Sequence, residues 1–143
     1  MKRVLAALAF ASLLSAPAVA SDHIVKLTLD GRPVDRSGGS AVLHNGLVYA
    51  DAVDLVRSFD GILTFQGKAL VITVNGVTAT FTAGSRTARI ADGSTVMPGP
   101  AFVRNGDLFV PLELFITRVA NARVRISTDK TRANIYVNAN PLS

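Results

Sequence analysis

The chain has 143 residues, with 15 Lys and Arg against 10 Asp and Glu, 49% hydrophobic residues and no cysteine. The length suits one ordinary domain, and the missing cysteines exclude disulfides, thiol catalysis and Cys-ligated zinc or iron–sulfur sites. The formal charge of +5 becomes +3, 13 basic against 10 acidic residues, once Lys2 and Arg3 are set aside. So mild a balance gives no support to nucleic-acid binding.

Residues 1–20 are read as a signal peptide. Lys2 and Arg3 make a basic start, Val4 to Leu14 is almost wholly apolar, and Ala18-Val19-Ala20 supplies small residues before Ser21. These are the three parts of a cleavable secretory signal, and the apolar run is too short to span a bilayer comfortably. The expectation is an exported protein, periplasmic or extracellular in the cell envelope, without stable membrane insertion after cleavage. No cysteine follows the signal to carry a lipid.

The mature chain opens with Val25, Leu27 and Leu29 alternating with polar residues, the period of a half-buried strand. Asp30-Gly31 is a hairpin turn, and Pro33 marks the returning strand as an edge. Ser37 to Ser40 reads as a loop. Ala41-Val42-Leu43 and Leu47-Val48-Tyr49 flank Asn45-Gly46, a pair suited to a type I′ turn. Asp51 is a good N-cap for a helix from Ala52 to Phe59, with Val53, Leu55, Val56 and Phe59 as its apolar face and Asp60-Gly61 as its end. Three strands follow, Ile62 to Phe65, Ala69 to Val74 and Val77 to Thr82, with Asn75-Gly76 turning between the last two.

After Gly84 come Arg86 to Ile90, an Asp92-Gly93 turn, Ser94 to Met97, and a stiff Met97-Pro98-Gly99-Pro100 connector. Ala101-Phe102-Val103 and Leu108-Phe109-Val110 flank a second Asn-Gly pair, Asn105-Gly106. Pro111 suits the first helical position, and Leu112, Phe115, Ile116 and Val119 predict a helix to about Ala120. Ala122 to Ser127 and Ala133 to Val137 form the final pair around Thr128-Asp129-Lys130, and Asn138 to Ser143 is a polar tail.

The stretch from Arg104 to Phe115 thus echoes the stretch from His44 to Leu55, sixty residues earlier. One domain over 21–143 is expected, made of two repeats, about 24–83 and 84–137. The fold class is α+β: mainly antiparallel β-sheet, built from two β-hairpin/short-helix/β-hairpin repeats.

Asn105-Gly106-Asp107-Leu108-Phe109-Val110-Pro111-Leu112, followed by Val124-Arg125-Ile126 and Ile135-Tyr136-Val137, resembles the copper amine oxidase N-terminal domain-like family, also called stalk domains. In the first copy Ala50-Asp51-Ala52 stands where Val-Pro-Leu is usual in that family. The resemblance implies a noncatalytic accessory module of exported or surface proteins. Copper and the redox cofactor of the oxidases belong to a separate catalytic domain, so no cofactor is implied here. The matching positions are turns and core, which specify a fold rather than a chemistry.

The residues themselves point the same way. His23 and His44 are the only histidines, too few for a converging copper or zinc site. Cleavage after Ala20 would put His23 third in the chain, where an N-terminus can hold Cu(II) adventitiously. Asp51, Asp54 and Glu113 read as helix-capping or exposed acids, no esterase elbow surrounds Ser85, and there is no phosphate loop; no catalytic residue is assigned. Arg118, Arg123, Arg125 and Arg132 form a basic C-terminal cluster and are the candidate binding residues. The cluster reads either as charge that keeps an edge strand from pairing or as a patch for an anionic cell-envelope polymer or an acidic partner protein. Tyr49 or Tyr136 could stack on a sugar. The leading expectation is a noncatalytic envelope module that binds through its sheet surface; the alternative is a secreted inhibitor or ligand-binding protein using loops 37–40 or 97–100.

Overall fold

The computed structural model describes residues 22–34 and 38–137. The expected signal peptide, Ser37 of the first loop and the expected tail after Val137 lie outside them. In chain order the elements are β1 (His23–Ile24), β2 (Lys26–Leu29), β3 (Arg32–Pro33), β4 (Ala41–His44), β5 (Leu47–Asp51), α1 (Ala52–Ser58), β6 (Ile62–Gln66), β7 (Ala69–Val74), β8 (Val77–Thr82), β9 (Thr87–Ile90) and β10 (Gly93–Val96). β11 (Phe102–Arg104) and β12 (Asp107–Pro111) follow, then α2 (Leu112–Leu114) running into a π-helix (Phe115–Val119), then β13 (Arg123–Ile126) and β14 (Arg132–Tyr136). The fold is β-rich and mostly antiparallel with two short helical segments, an α+β arrangement.

The strands form three sheets. One is a meander in the order β10-β9-β8-β7-β6; the second runs β11-β12-β5-β4-β1; the third is four-stranded, β13-β14-β2-β3. Turn chemistry explains the hairpins. Asn45 and Gly46, Asn75 and Gly76, and Asn105 and Gly106 all have positive φ, as a type I′ turn requires of both central residues. In the second sheet β5 and β12 lie side by side, with Pro111 opposite Tyr49, Val110 opposite Ala50 and Phe109 opposite Asp51. The two Asn-Gly hairpins are therefore neighbours.

The third sheet holds the pairing that strand periodicity does not encode. β14 pairs in parallel with β2, Arg132 to Lys26 through Ile135 to Leu29, so the first long strand closes against the last. Beneath it Leu27, Ala133 and Ile135 are buried, with Leu29, Val124 and Ile126 partly buried against the same core. That core takes in Leu55 and Val56 of α1, Leu70, Ile72 and Phe81 of the meander, and Phe115, Ile116 and Val119 of the π-helix. Phe81 and Phe115 stack at 6.2 Å between centroids.

Three local expectations are corrected. Pro111 is not the first helical residue: it is the last residue of β12, extended at φ −57°, ψ 124°, and the helix starts after it. The second helix is not α-helical to its end, because five residues widen into a π-turn, with the Ala120 amide donating to the Phe115 carbonyl. Phe115, Ile116 and Val119 are all buried, the same face that their spacing gives in an ordinary α-helix, so the widening does not change which side chains face the core. The turn between β9 and β10 is Ala91-Asp92 rather than Asp92-Gly93; Ala91 takes the positive φ of 55° and Gly93 pairs with Ile90.

Asp51 caps α1 as expected: its carboxylate accepts from the amides of Val53 at 2.9 Å and Asp54 at 3.3 Å. The other end closes with the Asp60 amide donating to Arg57 and the Gly61 amide to Val56, the paired bonds of a Schellman motif. Asp60, not glycine, occupies the left-handed position at φ 56°. Gly61 serves a different need, because a Cβ there would lie 2.7 Å from the Thr73 carbonyl oxygen.

Candidate functional site

Three of the four arginines singled out from the sequence share one surface. In β13 and β14, Arg123 lies opposite Tyr136 and Arg125 opposite Asn134, so alternation puts Arg132 on the same face two residues before Asn134. The parallel ladder adds Lys26 opposite Arg132 and Thr28 opposite Asn134. The Thr28 hydroxyl donates to the Asn134 side-chain oxygen at 2.5 Å. Lys26, Arg123, Arg125 and Arg132 are all exposed. Among the described residues none of the four lies within salt-bridge distance of a carboxylate.

The nearby acids are turned to other work. Asp129 accepts from the Ser127 and Thr131 hydroxyls, both at 2.7 Å, and those bonds with the Thr131 amide hold its carboxyl down at about 2. Asp30 accepts from the Val137 amide at 3.1 Å. At one end of the face a pocket of about 400 Å³ is lined by Arg123, Val124, Arg125 and Tyr136. Tyr136, 36% exposed, thus joins the arginines, whereas Tyr49 is buried at 2% and does not meet solvent.

Arg118 is placed elsewhere. Its guanidinium reaches the Thr95 hydroxyl of β10 at 3.5 Å, in the meander sheet. Lys26 and Asn134 were missed by sequence reading. Asn134 enters through its place opposite Arg125 in the final hairpin and Lys26 through the parallel pairing of β2 with β14, for which a basic residue heading the first strand was the only signal.

A second cluster was also missed. His44 Nδ1 donates to the Asp22 carboxylate at 2.7 Å, and Arg104 Nε lies 3.6 Å from the same carboxylate. The His44 ring stacks on Phe102 at 4.2 Å, Phe102 on Phe109 at 5.6 Å, and Tyr49 meets Phe102 edge-on. This aromatic layer, with Val42, fills the opposite side of the second sheet from the main core. It fastens β1 to the hairpins and holds no converging donors. His23 lies opposite Leu43, so alternation sends His23 and His44 to opposite faces of the sheet. The two imidazoles do not fit one copper ion, and no group of three or more His, Asp or Glu side chains among the described residues could hold a metal.

Asp51 and Asp54 are helix-end groups. The Ser40 hydroxyl donates to Asp54 at 2.5 Å, while burial first, then the Asp54 charge, push the Asp51 carboxyl up to about 6. Of the loop over 97–100, Met97 and Gly99 are buried and Arg86 Nη2 donates to the Pro98 carbonyl at 3.2 Å. Only Pro98 and Pro100 stand out from it. No helix among the described residues is long and apolar enough to cross a membrane.

Comparison with curated proteins gives no match, and comparison with solved structures gives none either. The family model for the copper amine oxidase N-terminal domain, the noncatalytic part of those oxidases, matches residues 28–137. That span runs from β2 through the arginine-bearing strands to the end of β14, and the chain belongs to the copper amine oxidase N-terminal domain family.

Proposed function

We propose that this chain is an exported, noncatalytic envelope module that holds an anionic partner on the outer face of its four-stranded sheet. The observation that carries the reading is the convergence of Lys26, Arg123, Arg125 and Arg132 on one face, with no carboxylate at salt-bridge distance among the described residues. Four cations held on pleated backbone focus potential better than four on loops, and their attraction for an anion weakens with salt. The basic, apolar and small-residue segments of 1–20 support export. We also read 21–143 as one domain of two related units, about 24–83 and 84–137. Support for that is the order hairpin, helix, hairpin, which runs from Ala41 to Val74 and recurs from Phe102 to Tyr136.

The test is fractionation. Purified mature protein should sediment with cell-wall or membrane fractions at low salt and leave them as salt rises. Failure to bind any envelope fraction at low salt would remove the reading's main support.

A further inference from the structure

We propose that the outer edge of β13 receives an extended acidic peptide segment of a partner protein as an added antiparallel strand. The proposal rests on the basic-face reading and names the partner of that face. Among the described residues β13 has a strand neighbour, β14, on one side only. The direction of its free backbone groups follows from the ladder. The Ser127 amide donates to the Arg132 carbonyl, so Ser127–Arg132 is a hydrogen-bonded pair, and alternation makes Arg125–Asn134 and Arg123–Tyr136 hydrogen-bonded pairs as well. The amides and carbonyls of Val124 and Ile126 therefore point away from β14, along the open edge. The pocket lined by Arg123, Val124, Arg125 and Tyr136 follows three consecutive residues of that strand, although the Val124 side chain packs toward the core.

The edge thus presents two kinds of group at once: backbone donors and acceptors from Val124 and Ile126, and guanidinium groups from Arg123 and Arg125. The two arginines alternate along the strand, about 7 Å apart. An incoming strand with carboxylates at alternate positions has the same spacing and places them on the arginine side. Its intervening residues, directly opposite Val124 and Ile126, are best apolar because both of those are only half covered. A second copy of β13 would bring arginine against arginine and is disfavoured. The meander's open edge, β6, offers the contrast: Ile62 to Gln66 carries no charge, so an acidic strand finds nothing there to select it.

The probe is an eight-residue peptide of alternating Val and Glu, titrated into the full mature chain by fluorescence anisotropy and followed by amide exchange. Polyphosphate of matched charge serves as an anion without a peptide backbone. Expected are slowed exchange of the Val124 and Ile126 amides on peptide binding, and at least tenfold weaker binding when every Val of the peptide is N-methylated. N-methylation of the Glu residues should leave binding unchanged, because their amides face away. Arg125→Glu should weaken peptide binding tenfold or more. Equal binding by both N-methylated peptides would overturn the proposal, as would Val124 and Ile126 amides already slow in the free chain. If polyphosphate binds and Arg125→Glu abolishes that binding while the peptide protects no β13 amide, the added strand fails and the basic face stands. If neither probe responds to Arg125→Glu, the basic-face reading fails with it.

Discussion

Phe115 lies against Phe81 with ring centroids 6.2 Å apart and planes inclined by 26°, which joins the π-helix to the middle strand of the meander. Both rings are fully buried. Phe115→Ala leaves Phe81 facing a void, and core Phe→Ala changes destabilise by about 3–5 kcal/mol. Phe109 is 2% exposed and packs on the other side of the second sheet, stacked on Phe102. Phe109→Ala should fall in the same range of about 3–5 kcal/mol. A urea melt of each variant checks this, and a near-neutral midpoint for either would mean that its ring is not a core element.

Gly61 and Asp60 divide between them two jobs often given to one glycine. Gly61→Ala would push a Cβ to 2.7 Å from the Thr73 carbonyl oxygen and 2.8 Å from Val74 Cγ2, so α1 or β7 must move. A loss of about 1–3 kcal/mol is expected, as for other overpacked sites. Asp60→Gly instead relieves a left-handed residue at the helix end and should gain up to about 1 kcal/mol. Opposite signs at neighbouring positions, read in one denaturation series, test the division.

The sequence made this corner legible only in part, and the reason is physical. The Asn-Gly pairs, the Asp51 cap and the alternation of β2 are local signals, set by φ preference, cap chemistry and pleat, and they reappear in the structure. Which of Asp60 and Gly61 is left-handed depends on how closely β7 passes, and no local pattern carries that. The widening over Phe115–Val119 likewise has no local signal, since the spacing of its buried residues fits an ordinary α-helix. Periodicity says which face a residue is on, but not which strand lies beside it. For this reason alternation with Val124 and Ile126 is enough to put Arg123 and Arg125 on one face, whereas nothing local brings Lys26, more than a hundred residues from Arg132, beside them. Arg118 was grouped by proximity in sequence, but its helix turns it toward Thr95.

Asp51 predicts a pH dependence. Its carboxyl is raised from the ordinary 3.8 to about 6, chiefly by burial and then by the Asp54 charge. It therefore binds its proton more tightly in the folded chain than in the unfolded one. The stabilisation from this group is fully present below about pH 4 and is lost as pH rises through 6. Asp51→Asn keeps an oxygen to accept from the Val53 amide but cannot ionise. The variant should match the parent near pH 4 and exceed it at pH 8 by on the order of 1–2 kcal/mol. Urea melts across that range decide it; a constant difference at all pH values would show that Asp51 does not titrate with folding.

The basic face makes the last prediction, and Arg118 is its internal control. Arg123 and Arg125 stand on the outer face of β13, while Arg118 leans on the meander, so the three differ in position but not in charge. Removing a cation anywhere lowers the net charge equally, and a purely nonspecific attraction would register all three alike. If the face is the binding surface, Arg123→Ala combined with Arg125→Ala should abolish low-salt retention on envelope fractions and flatten its salt dependence. Arg118→Ala should leave both unchanged. All are exposed substitutions, so the melting midpoints should stay within about 0.5 kcal/mol of the parent and keep any binding loss separate from unfolding. Equal losses from the Arg118 variant and from a single β13 variant would assign the retention to net charge and not to the sheet.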